Sequence, residues 1–151
     1  MRLVSFLLGA ALVVAAGPAS AAIVARIDNS QQRMRVYVDS RLAYVWPVST
    51  ARRGYRTPPG HYRVQRMERM WYSRKYDWSP MPHALFFRGG YAIHGTYAVR
   101  QLGRPASHGC VRLAPGNART LFEMVRARGG AQHRRHQLTA ARPSPSARRR
   151  A

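Results

Sequence analysis

Residues 33–49, RMRVYVDSRLAYVWPVS, decide the fold class. Met34, Val36 and Val38 alternate with other residues, and Leu42, Tyr44 and Trp46 alternate again after a short polar break. Period two is the spacing of side chains on one face of a strand, so both halves read as β-strands. Asp39-Ser40 supplies turn chemistry between them, which makes the stretch a β-hairpin.

Outward from the hairpin the β character continues. YRTPPGHYRVQR places Pro58-Pro59-Gly60 as a break before a strand over residues 61–65. HALFFRGGYAIHG reads as two short strands, residues 84–87 and 91–94, split by Gly89-Gly90. WYSRKYDWSPMP, residues 71–82, is aromatic, polar and punctuated by proline, and is expected to be a loop covering something. Tyr72 and Trp78 there serve equally well as walls of a groove or as cover for the core. One helix stands out in PGNARTLFEMVRARGG. Pro115 lies near its start, and Ala118, Leu121, Phe122 and Val125 fall at i, i+3, i+4, i+7. Arg126 and Arg128 suit the negative end of the helix dipole, and Gly129-Gly130 stops it. The expectation is one mainly β domain with a C-terminal amphipathic helix. A length of 151 residues leaves room for one ordinary core.

The ends differ in composition from this domain. MRLVSFLLGAALVVAAGPASA has one charge at Arg2, an apolar run and a small-residue triplet, the layout of a signal peptide over residues 1–21 with cleavage after Ala21. The run falls short of the ~20 apolar residues that span a bilayer, so a mature protein outside the cytoplasm, without stable membrane insertion, is expected. At the other end, residues 129–151 carry no acid and no periodicity and read as a disordered basic tail. A formal net charge of +21, nearly all arginine because Lys75 is the only lysine, implies an anionic environment or partner. It bears on association and not on fold.

Cys110 is the only cysteine. In an oxidising compartment structural cysteines come in pairs, so a single one is an intermolecular link or a reactive thiol. His108 and Arg112 flank it at i±2, the spacing that puts all three on one face of an extended segment. Gly109 lets a substrate carbonyl approach and leaves backbone N–H groups accessible to an oxyanion. His94 ends a predicted strand, and a Cys–His pair is the minimal acyl-transfer apparatus. No acidic residue is near in sequence, so a backbone carbonyl is expected to orient the histidine. A zinc site has only His94, His108 and Cys110 to draw on, with no second cysteine or nearby carboxylate; no metal and no cofactor are expected. His61 and His83 read as structural or substrate-lining, and His133 and His136 receive no role.

IHGTYAVRQLGRPASHGCVRL resembles the signature of the L,D-transpeptidase catalytic domain, also called YkuD: a histidine, a spacer, then Ser/Thr-His-Gly-Cys and Arg or Asn. QQRMRVYVDSRLAYVWPVSTARRGYRTPPGHYRV is similar to the family's opening, a hairpin leading to V-S-T and then T-P-x-G. The likeness covers residues 22–128. It implies a sandwich-like, mostly β fold and exchange at an L,D-peptide bond of peptidoglycan stem peptides. Cys110 is then the nucleophile and His94 the general base. His108, Gly109 and the backbone around Cys110 orient substrate and hold the oxyanion, while Ser107 and Arg112 shape the site, Arg112 by a bidentate grip on a substrate carboxylate. Some members carry Ser or Thr where this chain has Gly95. The family's accessory wall-binding domain is not seen, and the basic tail is expected to take its place by attraction to acidic wall polymer. The transfer is crosslinking of two stems or attachment of a protein. Hydrolysis by the same site, as an L,D-carboxypeptidase or endopeptidase, is the alternative. No specific nucleic-acid partner is expected for such an enzyme; a polyanion-binding protein, nucleic acid being one candidate polyanion, is a further alternative, resting on charge alone and giving Cys110 no role.

Overall fold

The computed structural model describes residues 22–129 and 137–141. The signal-like segment, His133 and His136 lie outside the described residues. Nine strands and one helix follow in the order β1 (Ile23–Asp28), β2 (Arg33–Val38), β3 (Arg41–Pro47), β4 (Gly60–Arg63), β5 (Arg66–Ser73), β6 (Ser79–Arg88), β7 (Tyr91–Gly95), β8 (Val111–Leu113), α1 (Pro115–Gly129) and β9 (Gln137–Ala141). They build two sheets, ordered β3-β2-β1-β9-β4 and β5-β6-β7-β8. The mainly β architecture with one C-terminal helix is the one expected.

The opening hairpin is β2–β3, paired Met34↔Trp46 and Val36↔Tyr44, with Asp39 and Ser40 at the turn in left-handed conformation (φ 51° and 66°). One core joins both sheets to the helix. Met34, Val36 and Trp46 meet Leu85, Phe87, Ile93, Val111 and Leu113, and Ala118, Leu121, Phe122 and Val125 of α1 complete it. The period-two rule then explains the site's position. Leu85, Phe87 and Ile93 point into this core, so Phe86 and Ala92 point to the other face, where with Met81 and Ala84 they form a second cluster touching Cys110. The chemistry sits on that outer face of the second sheet.

Two expectations are corrected. Residues 71–82 are no loop, because most of them belong to the β5–β6 hairpin, paired Trp71↔Met81, Tyr72↔Pro80 and Ser73↔Ser79 around a short 3-10 turn at Arg74–Tyr76. Pro80 and Pro82 fit a strand here because β7 pairs only with the 85–88 part of β6. The missing N–H groups therefore face an edge with no partner. Within the basic tail, Gln137–Ala141 form a strand that pairs parallel with β1 and antiparallel with β4. This is an uncharged window, QLTAA, inside an arginine-rich segment, and its backbone supplies the hydrogen-bond partners that both neighbouring edges need. Ending the chain at Gly129 is expected to lower the melting temperature by about 5 °C or more, as loss of a central strand costs at least ~1–2 kcal/mol. Ending it at Ala141 retains all nine strands and a near-native transition by circular dichroism.

Candidate active site

His94 lies on β7, across the parallel register from Arg112 on β8. It is buried, 5% exposed, and its Nδ1 lies 2.7 Å from the Gly95 carbonyl. A carbonyl only accepts, so Nδ1 carries the proton and Nε2 keeps its lone pair. The backbone carbonyl expected to orient this ring is thus its own neighbour's. Burial pushes His94 down to about 4, with help from the Arg112 charge and against the Gly95 hydrogen bond. The ring is neutral across the physiological range.

This depression has a consequence for stability. Above the ordinary imidazole value of 6.5, His94 is neutral folded or unfolded. As pH falls from 6.5 towards 4 the unfolded chain takes up a proton that the folded protein does not, so stability is lost over that window and levels off below it. The loss amounts to about 3 kcal/mol for this one group. Thermal unfolding between pH 7 and pH 4 should show it, and His94→Gln should flatten the slope; an equally steep slope in the variant would contradict the assignment.

The turn that presents Cys110 is braced from three directions. Ser107, fully buried, donates through Oγ to the Cys110 carbonyl at 2.6 Å and accepts from the Gly109 N–H at 3.0 Å. Thr57 Oγ1 donates to the Gly109 carbonyl at 2.9 Å and accepts from the Ala51 N–H at 3.0 Å. The segment after β3 ties down the start of the turn, with Ser107 N–H donating to the Thr50 carbonyl and Arg52 N–H to the Ser107 carbonyl, both 2.9 Å. Beneath it Gln32, buried and at φ 51°, grips Thr50 with both ends of its amide, at 2.6 and 2.8 Å. Gly109 adopts φ 130°, and a Cβ there would lie 2.5 Å from Tyr91 Cε1. Its role is conformational. Its N–H, expected to be available to an oxyanion, is already bound to Ser107.

His94, His108, Cys110 and Arg112 line one cleft of about 300 Å³, together with the β5–β6 hairpin. The i±2 alternation thus puts His108, Cys110 and Arg112 on one side, although only residues from Val111 onward are strand. Ser107 and Gly109 lie beneath as braces. Cys110 Sγ has the Gly90 carbonyl as acceptor at 3.8 Å. Burial pushes the thiol above its ordinary 9.0, outweighing the Ala92 backbone N–H and the Arg112 charge, which favour the thiolate. The site at rest holds a thiol and a neutral imidazole and no ion pair. His108 is clamped by aromatics, flat against Tyr76 (4.3 Å, 9°) and edge-on to Tyr55 (4.6 Å), with Arg52 Nη2 donating to its Nε2 at 2.8 Å. Burial first, then Arg52, Arg112 and Lys75, hold it below the ordinary imidazole value. Arg112 donates to Gln101 Oε1 at 3.4 Å.

Among the described residues the other two histidines stay outside the cleft. His61 is on β4, and His83, at φ 54°, packs against Phe122 of the helix. Among the described residues no group of three or more His, Cys, Asp or Glu is placed to hold a metal ion, and no helix is long and apolar enough to cross a membrane. Gly95 is explained by space, since a Cβ would lie 3.0 Å from Pro82 Cγ and 3.3 Å from Pro115 Cα. Sequence reasoning passed over Gln32, Arg52, Tyr55, Thr57 and Tyr76. Only Thr57 had a signal, the T-P-P-G stretch, which was read as a break and as part of the family's opening, with no role given to Thr57 itself.

A lone thiol and a buried neutral imidazole line one cleft on the outer face of a two-sheet β domain, a pairing of residue types that suits chemistry at an acyl carbon. The particular family follows from comparison: residues 22–133 match the L,D-transpeptidase catalytic domain (YkuD), and the chain belongs to that family. Among solved structures it is similar to an L,D-transpeptidase from Mycobacterium smegmatis (TM-score 0.68, 21% identity, 81% of this chain and 59% of that one). It is similar also to one from Stackebrandtia nassauensis (0.68, 25%, 82% and 57%). A third is L,D-transpeptidase 3 from Mycobacterium tuberculosis in complex with a faropenem-derived adduct (0.66, 21%, 81% and 61%). The chain therefore spans about three fifths of the length of these relatives. No curated protein sequence matches it.

Proposed function

We propose that this protein is an exported L,D-transpeptidase that transfers peptidoglycan stem peptides through a thioester on Cys110. The single observation that carries the reading is the pairing, in one cleft, of Cys110 with a histidine whose Nδ1 is committed to the Gly95 carbonyl and whose Nε2 keeps its lone pair. Family membership supports the substrate class. The thiol proton passes to His94 Nε2 as sulfur attacks the carbonyl carbon and an S–C bond forms. The tetrahedral adduct collapses, the C–N bond to the terminal D-alanine breaks, and His94 returns the proton to that leaving amine. An amine of a second stem then attacks the thioester, gives its proton to His94, and expels the sulfur, which recovers it. Arg112 and His108 orient the donor. No step requires a metal or cofactor.

The signal-like residues 1–21 support export to the periplasm or cell wall, and the charge of +21 supports loose attachment to acidic wall polymer. Incubating the mature protein with disaccharide-tetrapeptides and weighing the products tests the function. Crosslinked dimers support transfer, trimmed monomers would replace it with hydrolysis by the same nucleophile, and no product would overturn it. The relative with a faropenem-derived adduct motivates a second readout, a β-lactam mass shift on Cys110.

A further inference from the structure

Every formal charge lining the cleft is positive. Arg66, Arg74, Lys75 and Arg112 line it, and none of the chain's five carboxylates does. Glu68 lies 3.1 Å from Arg66, one of these cations, and three other carboxylates are engaged elsewhere: Glu123 with Arg69 and Arg126, Asp39 with Arg128, and Asp28 with the N–H groups of Ser30 and Gln31. Asp77, at the hairpin tip, is exposed.

The four cations are not equivalent. Arg66 is partly neutralised by Glu68 and lies over the faces of Trp71 and Phe86 at 4.3 and 4.0 Å. Arg112 donates to Gln101. Arg74 and Lys75 rest only near aromatic faces, Arg74 5.6 Å from Trp78 and Lys75 5.6 Å from Tyr76. Among the described residues neither has a carboxylate partner. A cation held by a ring keeps its N–H donors free for an anion. Tyr76, next in the chain to Lys75, lies flat on His108, which stands two residues before Cys110, and Arg74 and Lys75 line the same cleft as the thiol.

Resting on the transpeptidase reading, we propose that Arg74 and Lys75 select acyl donors that carry a free carboxylate beside the scissile bond over donors in which it is amidated. Carboxylate and carboxamide have nearly the same shape, so shape cannot separate them and charge can. An amide also brings an N–H donor towards groups that only donate. The terminal carboxylate of the leaving residue is common to both donors and cancels in their ratio.

The test is a competition between tetrapeptide stems that differ only in amidation of an internal carboxylate, read by mass spectrometry as a ratio of kcat/KM. The wild-type protein should favour the free acid roughly tenfold at low ionic strength, the size of one charge-assisted contact, with the ratio shrinking as salt screens it. Arg74→Gln with Lys75→Gln should bring the ratio close to one, and Arg74→Glu with Lys75→Glu should invert it. Both residues are exposed, so the variants keep the fold. A wild-type ratio near one, or a ratio that neither pair of substitutions moves, would overturn the selection while leaving the transpeptidase reading intact. Failure of the wild-type protein to use either donor, with no β-lactam taken on Cys110, would overturn both.

Discussion

Cys110→Ala is expected to form no crosslinked dimer above background and to show no β-lactam mass shift, with a fall in rate of at least ~10³-fold, the scale on which losing a covalent nucleophile is felt. The fold should survive, since Cys110 is half-buried at the rim of a small apolar cluster and makes no disulfide. Cys110→Ser is expected to be nearly as inactive. His94, pushed down to about 4, is a weak base and can accept the thiol proton only as the S–C bond forms. A hydroxyl is several units less acidic than a thiol and lies beyond its reach. Full activity in either variant, measured on the same muropeptides with the melting temperature as control, would remove Cys110 from the mechanism.

Gly109→Ala should cripple both fold and activity. At φ 130° an L side chain is strained whatever the space, by about 1–3 kcal/mol. Space is also lacking, because the new Cβ would lie 2.5 Å from Tyr91 Cε1 and 3.0 Å from the Arg56 carbonyl. Tyr91 is the residue between Gly90, whose carbonyl faces Sγ, and Ala92, whose N–H favours the thiolate. Moving it shifts the nucleophile's nearest partners. The expected outcome is a loss of about 3 kcal/mol, seen as a drop of roughly 10 °C in melting temperature, and at least ~10²-fold slower acylation in the molecules that remain folded, since a displacement of about 1 Å at a reacting centre costs that much. Wild-type values for both would show that the turn is not under this constraint.

Much of this site was legible before any coordinates. Cys110 stands out because an unpaired cysteine behind a signal-like N-terminus has few expected structural uses, and His108 and Arg112 stand out by alternation. His94 was found as the end of a predicted strand. The braces were not legible. Thr57 reaches Gly109 across 52 positions and Gln32 reaches Thr50 across 18, and no local pattern marks a side chain whose partner is that far along the chain. The β5–β6 hairpin was misread because proline and aromatic residues carry loop chemistry locally, while the sheet leaves an unpaired edge where those prolines are harmless. β9 was missed because composition averages over a window, and five uncharged residues vanish among arginines.

The sequence by itself determined which atoms can react: one thiol, one strand-end imidazole, and the alternation that turns Cys110 and Arg112 away from the core. Only the tertiary structure decided their protonation. Desolvation is a property of what surrounds a group, and the segments around His94 and Cys110 come from distant parts of the chain. Their packing keeps the imidazole and the thiol both neutral at rest.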